Sequence, residues 1–212
     1  MSIVFRKNER DGTKLGIWKV EESIDELKHN LILNDEELDF YNKLNKGKRN
    51  LHWLSSRVLL RELLETNRFI EVRGDSHGKP HLINFDFEIS ITHSYEYAAV
   101  ILSKKKVGID IEIIKDKILK IALKFMNDRE LEFVEGEDKI KKMYVIWCAK
   151  ESIYKLHGKK ELLFQDHIFV EPFDYFTEGK IIAEIKKNNI SKTYDIQYLE
   201  FNDYMFTYVI DH

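Results

Sequence analysis

Residues 51–64 carry Leu54, Val58, Leu59 and Leu63 at helical spacing, with Arg57 and Arg61 falling together away from them. This pattern predicts an amphipathic helix. A longer helix is expected from about 140 to 156. There Trp147, Glu151 and Lys155 recur every four residues on one face, while Tyr144, Cys148, Ser152 and Leu156 make a second, mostly less polar stripe. Taken alone, Glu151 and Lys155 would be a surface ion pair contributing roughly 0.2–0.5 kcal/mol. Between the two helices the period shortens to two. Ile89 and Ile91 alternate with Ser90 and Thr92, residues 97–102 form a β-branched and aromatic run, and Lys104-Lys105-Lys106 marks an exposed turn before residues 107–113. A three-strand antiparallel meander is expected over 87–114, which would bring His93 toward the sheet edge carrying Glu112.

Elsewhere the signals are local. Residues 15–20 resemble a short strand, and Ser23 with Glu26 forms the pattern of a capping box. Asn34-Asp35-Glu36-Glu37 opens another helix, its acids suited to the positive end of the helix dipole. Gly74-Asp75-Ser76-His77 followed by Gly78-Lys79-Pro80 is a dense turn, in which Pro80 biases Lys79 toward an extended conformation. A helical stretch is expected around 119–125, then an acid-rich segment at 128–138. A C-terminal hairpin should pair 194–201 with 204–210 around Asn202-Asp203. The class is α+β.

Composition narrows the functional classes. With 212 residues, 43% apolar and 33% charged, two prolines and nine glycines, the chain can bury a core as one large or two small domains, without long disorder. A net charge of −3 gives no global attraction to nucleic acid, so no nucleic-acid partner is expected. Cys148 is the single cysteine, which excludes an internal disulfide and cysteine-rich zinc spacing. Met1-Ser2-Ile3-Val4-Phe5-Arg6 reaches the charged run Lys7-Asn8-Glu9-Arg10-Asp11 too soon for a signal peptide, and no window holds the roughly 20 apolar residues needed to span a membrane. A cytoplasmic protein without a membrane partner is expected.

Chemistry concentrates in two places. In an extended 107–113, Gly108, Asp110 and Glu112 share one side of the strand, where two carboxylates repel unless solvated, protonated or bridged by a cation. Magnesium takes oxygen ligands and leaves room for phosphate oxygens. Asp110, Glu112 and Glu151 could supply such a set, with Lys150 and Lys155 balancing phosphate charge. The basic cluster Lys46-Gly47-Lys48-Arg49, with Arg57 and Arg61 on the following helix, would also suit a phosphate; the bland alternative is a solvated helix face.

These segments together resemble a known family. Gly108-Ile109-Asp110-Ile111-Glu112 and Trp147-Cys148-Ala149-Lys150-Glu151-Ser152-Ile153-Tyr154-Lys155 are similar to the two signature motifs of the 4′-phosphopantetheinyl transferases, spaced as in the longer, surfactin-synthetase-activating type. Gly78-Lys79-Pro80 and Thr92-His93-Ser94 resemble two further motifs of that type, in the expected order, so the likeness covers roughly residues 48–159. It departs from the pattern at Ser152, where the family often has alanine, and at His157-Gly158-Lys159-Lys160, which lacks a second glycine.

The resemblance implies two similar α+β halves, residues 1–103 and 104–212, related by a pseudo-twofold axis, with coenzyme A bound between them, and a protein that acts as a monomer. It implies transfer of 4′-phosphopantetheine from coenzyme A to a serine of an apo acyl or peptidyl carrier protein. By motif position, Asp110, Glu112 and Glu151 would hold Mg2+, and Lys150 and Lys155 would bind the pyrophosphate or neutralise charge developing on it. Glu151 is also the candidate general base. Thr92 lies in the motif whose His93 would contact a coenzyme A phosphate. Lys79 and Pro80 would border the adenine through backbone contacts, and Arg57, with Arg49, would bind the 3′-phosphate. Trp147 is expected to pack. Two other functions remain open from sequence: a magnesium-dependent nuclease, and a non-catalytic carrier-protein binding module.

Overall fold

Capping boxes fix three helix starts. Ser23 with Glu26, Asn34 with Glu37, and Asn127 with Glu130 each exchange side-chain and backbone hydrogen bonds across the first turn. In the computed structural model, which describes residues 3–44 and 47–212, the chain divides into two units, Met1–Lys104 and Lys105–His212. Lys46 of the basic cluster and the first two residues of the N-terminal run lie outside the described residues. The class is mixed α+β, as expected.

The first unit contains β1 (Ile3–Asn8), β2 (Lys14–Lys19), α1 (Ile24–His29), α2 (Asp35–Lys43), α3 (Lys48–Leu64), β3 (Val72–Gly74), β4 (Pro80–Leu82), β5 (Glu88–Ser94) and β6 (Tyr97–Ser103). Four strands form an antiparallel sheet in the order β1-β2-β6-β5, while β3 and β4 make a small hairpin. The predicted apolar face of α3, Leu54, Val58, Leu59 and Leu63, packs in one cluster with Trp18, Ile89, Val100 and Leu102. All seven residues of β6 are buried, which explains why that run shows no alternation.

The second unit contains β7 (Val107–Ile113), two short 3-10 segments (Asp116–Lys120 and Ala122–Lys124), α4 (Asp128–Phe133), α5 (Lys139–His157), α6 (Phe164–His167), β8 (Ile168–Val170), β9 (Glu178–Lys187), β10 (Ile190–Phe201) and β11 (Tyr204–Ile210). Its antiparallel sheet runs β7-β11-β10-β9-β8. The hairpin at Asn202-Asp203 forms as expected. Both residues are left-handed, at φ 47 and 63, the twist a two-residue connection requires.

The structure corrects the meander. β5 and β6 pair as expected, but β7 joins β11 in the second sheet. The edges of β6 are already taken by β2 and β5, so no ladder remains for β7. The sheet-edge route that would bring His93 toward Glu112 therefore has no basis. The helical stretch around 119–125 becomes two 3-10 turns, with Ile118, Ala122 and Phe125 buried and Leu119 and Leu123 exposed. Gln165 stabilises this segment by donating to the carbonyls of Leu123 and Met126.

Candidate active site

The site in the second unit begins with a glycine. A Cβ at Gly108 would stand 1.8 Å from the carbonyl oxygen of Ser152, so only glycine lets β7 lie this close against α5. Side chains alternate along the strand, and Asp110 and Glu112 therefore face the same helix. From α5, the Lys155 ammonium donates to Asp110 Oδ1 at 2.7 Å and to the Ile109 carbonyl at 3.1 Å. The expected ion pair between Glu151 and Lys155 along the helix is replaced by this cross-element pair. Asp110 is buried, whereas the Lys155 side chain keeps 27% of its surface accessible.

Glu151 is half-buried on the same side. Burial, and then the charges of Asp110 and Glu112, push its carboxyl up to about 7, with Lys155 pulling the other way. Among the described residues no group of three His, Cys, Asp or Glu side chains is arranged to hold a metal ion. The chemistry of the donors nevertheless fits a hard cation. Burial first, and then the negative charges of Asp110 and Glu112, disfavour the charged form of Glu151, and a divalent cation held among the three carboxylates would offset both.

Behind the carboxylates the wall is polar but closed. Ser152 and Thr207 share a 2.7 Å hydroxyl hydrogen bond, and Ser152 Oγ also donates to the Thr207 carbonyl at 3.2 Å. The buried Cys148 thiol donates to the Met205 carbonyl; burial first, then Asp110 and Glu112, raises it well above its ordinary range. It is a packing residue here.

Lys150 is corrected. It is fully buried, and its three ammonium hydrogens go to the Phe125 carbonyl at 2.7 Å, Glu130 Oε2 at 2.6 Å and the Phe164 carbonyl at 2.9 Å. No donor is left for a phosphate. Burial pulls this lysine down and pushes Glu130 up, each charge being held against desolvation by the other. Glu130 also accepts the Val170 and Asn127 backbone N–H groups. It is the partner that sequence reasoning missed. Its signals were the Asn127-x-x-Glu130 capping pattern, and Lys150 standing on the apolar stripe with Ile146 and Ile153. Trp147 packs as expected, edge-on to Phe125 at 5.0 Å and tilted against Phe164 at 5.7 Å.

The remaining expected residues lie in the first unit. Thr92 is buried and His93 exposed at the end of β5, the His93 ring stacked on that of His52. Arg49 is exposed in the first turn of α3, two residues after Gly47 at φ 120. In the β3–β4 turn, Asp75 Oδ1 accepts the backbone N–H groups of His77 and Lys79, and the Lys79 carbonyl accepts the Asp75 N–H. The backbone of Lys79 is thus held in orientation. Pro80 is half-buried at the start of β4.

Arg57 is also corrected. Its guanidinium lies 3.6 Å over the Trp53 ring and 3.7 Å from Glu37, with 15% of the side chain exposed. Burial lowers it to about 10 against the pull of Glu37, so it is a cation at neutral pH but an already compensated one. It is not the open arm expected for a 3′-phosphate.

The pairing of a β7 carboxylate set with a lysine and a glutamate of α5 falls inside a recognised sequence region. Residues 106–209 match the family model of the 4′-phosphopantetheinyl transferase superfamily. Among individual relatives, it is 32% identical to the 4′-phosphopantetheinyl transferase gsp of Aneurinibacillus migulanus, over 50% of this chain and 46% of that protein. It is 29% identical to a putative 4′-phosphopantetheinyl transferase of Synechocystis, covering 60% and 58%, and 28% identical to the 4′-phosphopantetheinyl transferase Sfp of Bacillus subtilis, covering 57% and 55%. The chain spans about half the length of the curated relatives it matches.

Proposed function

We propose that the protein is a holo-[acyl-carrier-protein] synthase type enzyme, transferring 4′-phosphopantetheine from coenzyme A to a serine of an apo acyl or peptidyl carrier protein in a magnesium-dependent reaction. The mutually acting carboxylates Asp110, Glu112 and Glu151, with Lys155 beside them inside the matched region, carry this proposal. The serine Oγ forms a bond to the β-phosphorus as the bond from that phosphorus to the bridging oxygen breaks. Adenosine 3′,5′-bisphosphate leaves with that oxygen, and the serine proton passes to a base.

Asp110, Glu112 and Glu151 would hold the cation, which when bound supplies Lewis-acid stabilisation of the pyrophosphate charge. Lys155 keeps an accessible ammonium beside Asp110, able to reach charge developing on the leaving group. Glu151 is also the candidate general base for the serine proton. His93, Thr92 and Arg49 are the candidate phosphate contacts of the first unit, with Lys79 and Pro80 bordering the adenine. Among the described residues no helix is long and apolar enough to cross a membrane. A cytoplasmic monomer, where both co-substrate and carrier are at hand, fits the proposal.

Intact-mass measurement on a panel of apo carrier proteins tests it. The expected result is the gain of one 4′-phosphopantetheine, dependent on coenzyme A and magnesium, and abolished by Asp110→Ala or Glu151→Ala in protein whose circular dichroism is unchanged. No mass gain with any carrier would overturn the transferase. Carrier binding without transfer would point to a non-catalytic module, and magnesium-dependent DNA cleavage without coenzyme A binding to a nuclease.

A further inference from the structure

The turn between β5 and β6 holds an arrangement that the proposed chemistry does not use directly. His52, on the second turn of α3, is buried at 7% exposure, and its ring stacks on the exposed ring of His93 with centroids 4.4 Å apart and planes 14° from parallel. His52 Nε2 lies 2.7 Å from the Tyr95 carbonyl oxygen. A carbonyl oxygen only accepts, so Nε2 carries the hydrogen and donates it.

Tyr95 is left-handed at φ 49, a conformation that side chains with a Cβ rarely adopt. It is held there from two directions. The His52 hydrogen bond and the Lys48 ammonium, 5.4 Å over the Tyr95 ring, grip it from α3, while the Val20 N–H donates to the next carbonyl, that of Glu96, from beyond β2. The residues that fix this turn thus include the same side chain that lies flat against His93.

We propose that His52 is a positioning residue for His93. Its ring face sets the plane of the exposed imidazole, and its Nε2–H sets the turn two residues beyond, so that His93 meets an anionic group of coenzyme A already oriented. The stacked face narrows rotation about the His93 terminal torsion, and an imidazole ordered in advance loses less freedom on binding. His52 contributes no contact of its own to the ligand, so it acts on binding and not on the bond-breaking step. This inference rests on the assignment of His93 as a coenzyme A phosphate contact.

The test is a double-mutant cycle on steady-state transfer, with circular dichroism and melting curves recorded on each variant. His52→Ala is expected to raise KM for coenzyme A roughly three- to tenfold, the range of an aromatic stacking contact, with kcat within about twofold. His93→Ala should raise KM at least as much, and the double variant should be no worse than His93→Ala alone. His52→Phe, which keeps the ring face and loses the donor to Tyr95, should fall between the parent and His52→Ala. A merely structural histidine would lower the melting temperature and multiply with His93→Ala, and that additivity would overturn the proposal. So would an unchanged KM in folded His52→Ala. Should His52→Ala not fold, the same cycle is run with His52→Phe. If His93→Ala itself leaves KM unchanged, the assignment of His93 fails; if it raises KM and the two effects multiply, only the role of His52 fails.

Discussion

Replacing Lys150 by methionine separates a buried structural lysine from a phosphate ligand. The substitution keeps the length of the side chain and removes the ammonium that joins Glu130 to the carbonyls of Phe125 and Phe164. The Lys150 and Glu130 side chains are 0% and 1% exposed, so the lost partner cannot be replaced by bulk water. Removing one member of a buried pair costs about 3–5 kcal/mol. Glu130 limits the penalty by taking a proton, since burial already pushes its carboxyl upward. The two carbonyls add a cost of their own that methionine cannot offset. We therefore expect a loss of about 3–5 kcal/mol, which at a urea m-value of about 2 kcal/mol per M lowers the unfolding midpoint by about 1.5–2.5 M. Urea unfolding followed by circular dichroism measures it. Combining Glu130→Gln with Lys150→Met should cost clearly less than the sum of the single changes, because the first already abolishes the pair. A Lys150→Met protein within about 1 kcal/mol of the parent but with a raised KM for coenzyme A would refute the structural role, because a lysine held as described cannot reach a phosphate.

Three further outcomes are expected. Gly108→Ala should cost about 3 kcal/mol or more, beyond ordinary overpacking, because its methyl would meet the backbone of Ser152 and part β7 from α5; soluble yield and the urea midpoint report it. Ser152→Ala should cost about 1–2 kcal/mol by stripping the buried Thr207 hydroxyl of a partner, with transfer activity close to the parent, since the Ser152 hydroxyl points at β11 and away from solvent. For Asp75, desolvation pushes the carboxyl up, but His81 and the N–H groups of Lys79 and His77 hold it down at about 2. A folded value below the unfolded one means that this contribution is fully present above about pH 4 and is lost as the pH falls through 2. Amide exchange at His77 and Lys79 should accordingly stay protected down to about pH 3, and protection lost already at pH 5 would contradict the turn as described.

Much of the fold was legible in the sequence because its causes are local. A capping box needs only residues three apart, so α1 and α2 start where Ser23 and Asn34 indicate. Asn202-Asp203 supplies two residues that tolerate the left-handed conformation a two-residue hairpin requires. Alternation along β7 put Asp110 and Glu112 on one side, and helical spacing put Glu151 and Lys155 on another, before any packing was known. The stripe of Tyr144, Cys148, Ser152 and Leu156 is buried as its periodicity predicts.

Only tertiary structure decided which strand each edge receives and which charge each pocket accepts. β7 is apolar enough to pair with β6, yet β6 already has partners on both edges, and that is a property of the whole sheet. Lys150 and Lys155 are the same residue type five positions apart on α5. Lys155 lies over Asp110 with part of its surface open, and Lys150 turns into a closed site made by Phe125, Glu130 and Phe164, residues drawn from three separate segments. Arg57 met Trp53 and Glu37 in the same way. By itself the sequence determined the inventory of charges and the face of each element that carries them. The tertiary fold determined which charges are compensated inside the protein and which remain accessible, because desolvation and pairing depend on neighbours distant along the chain.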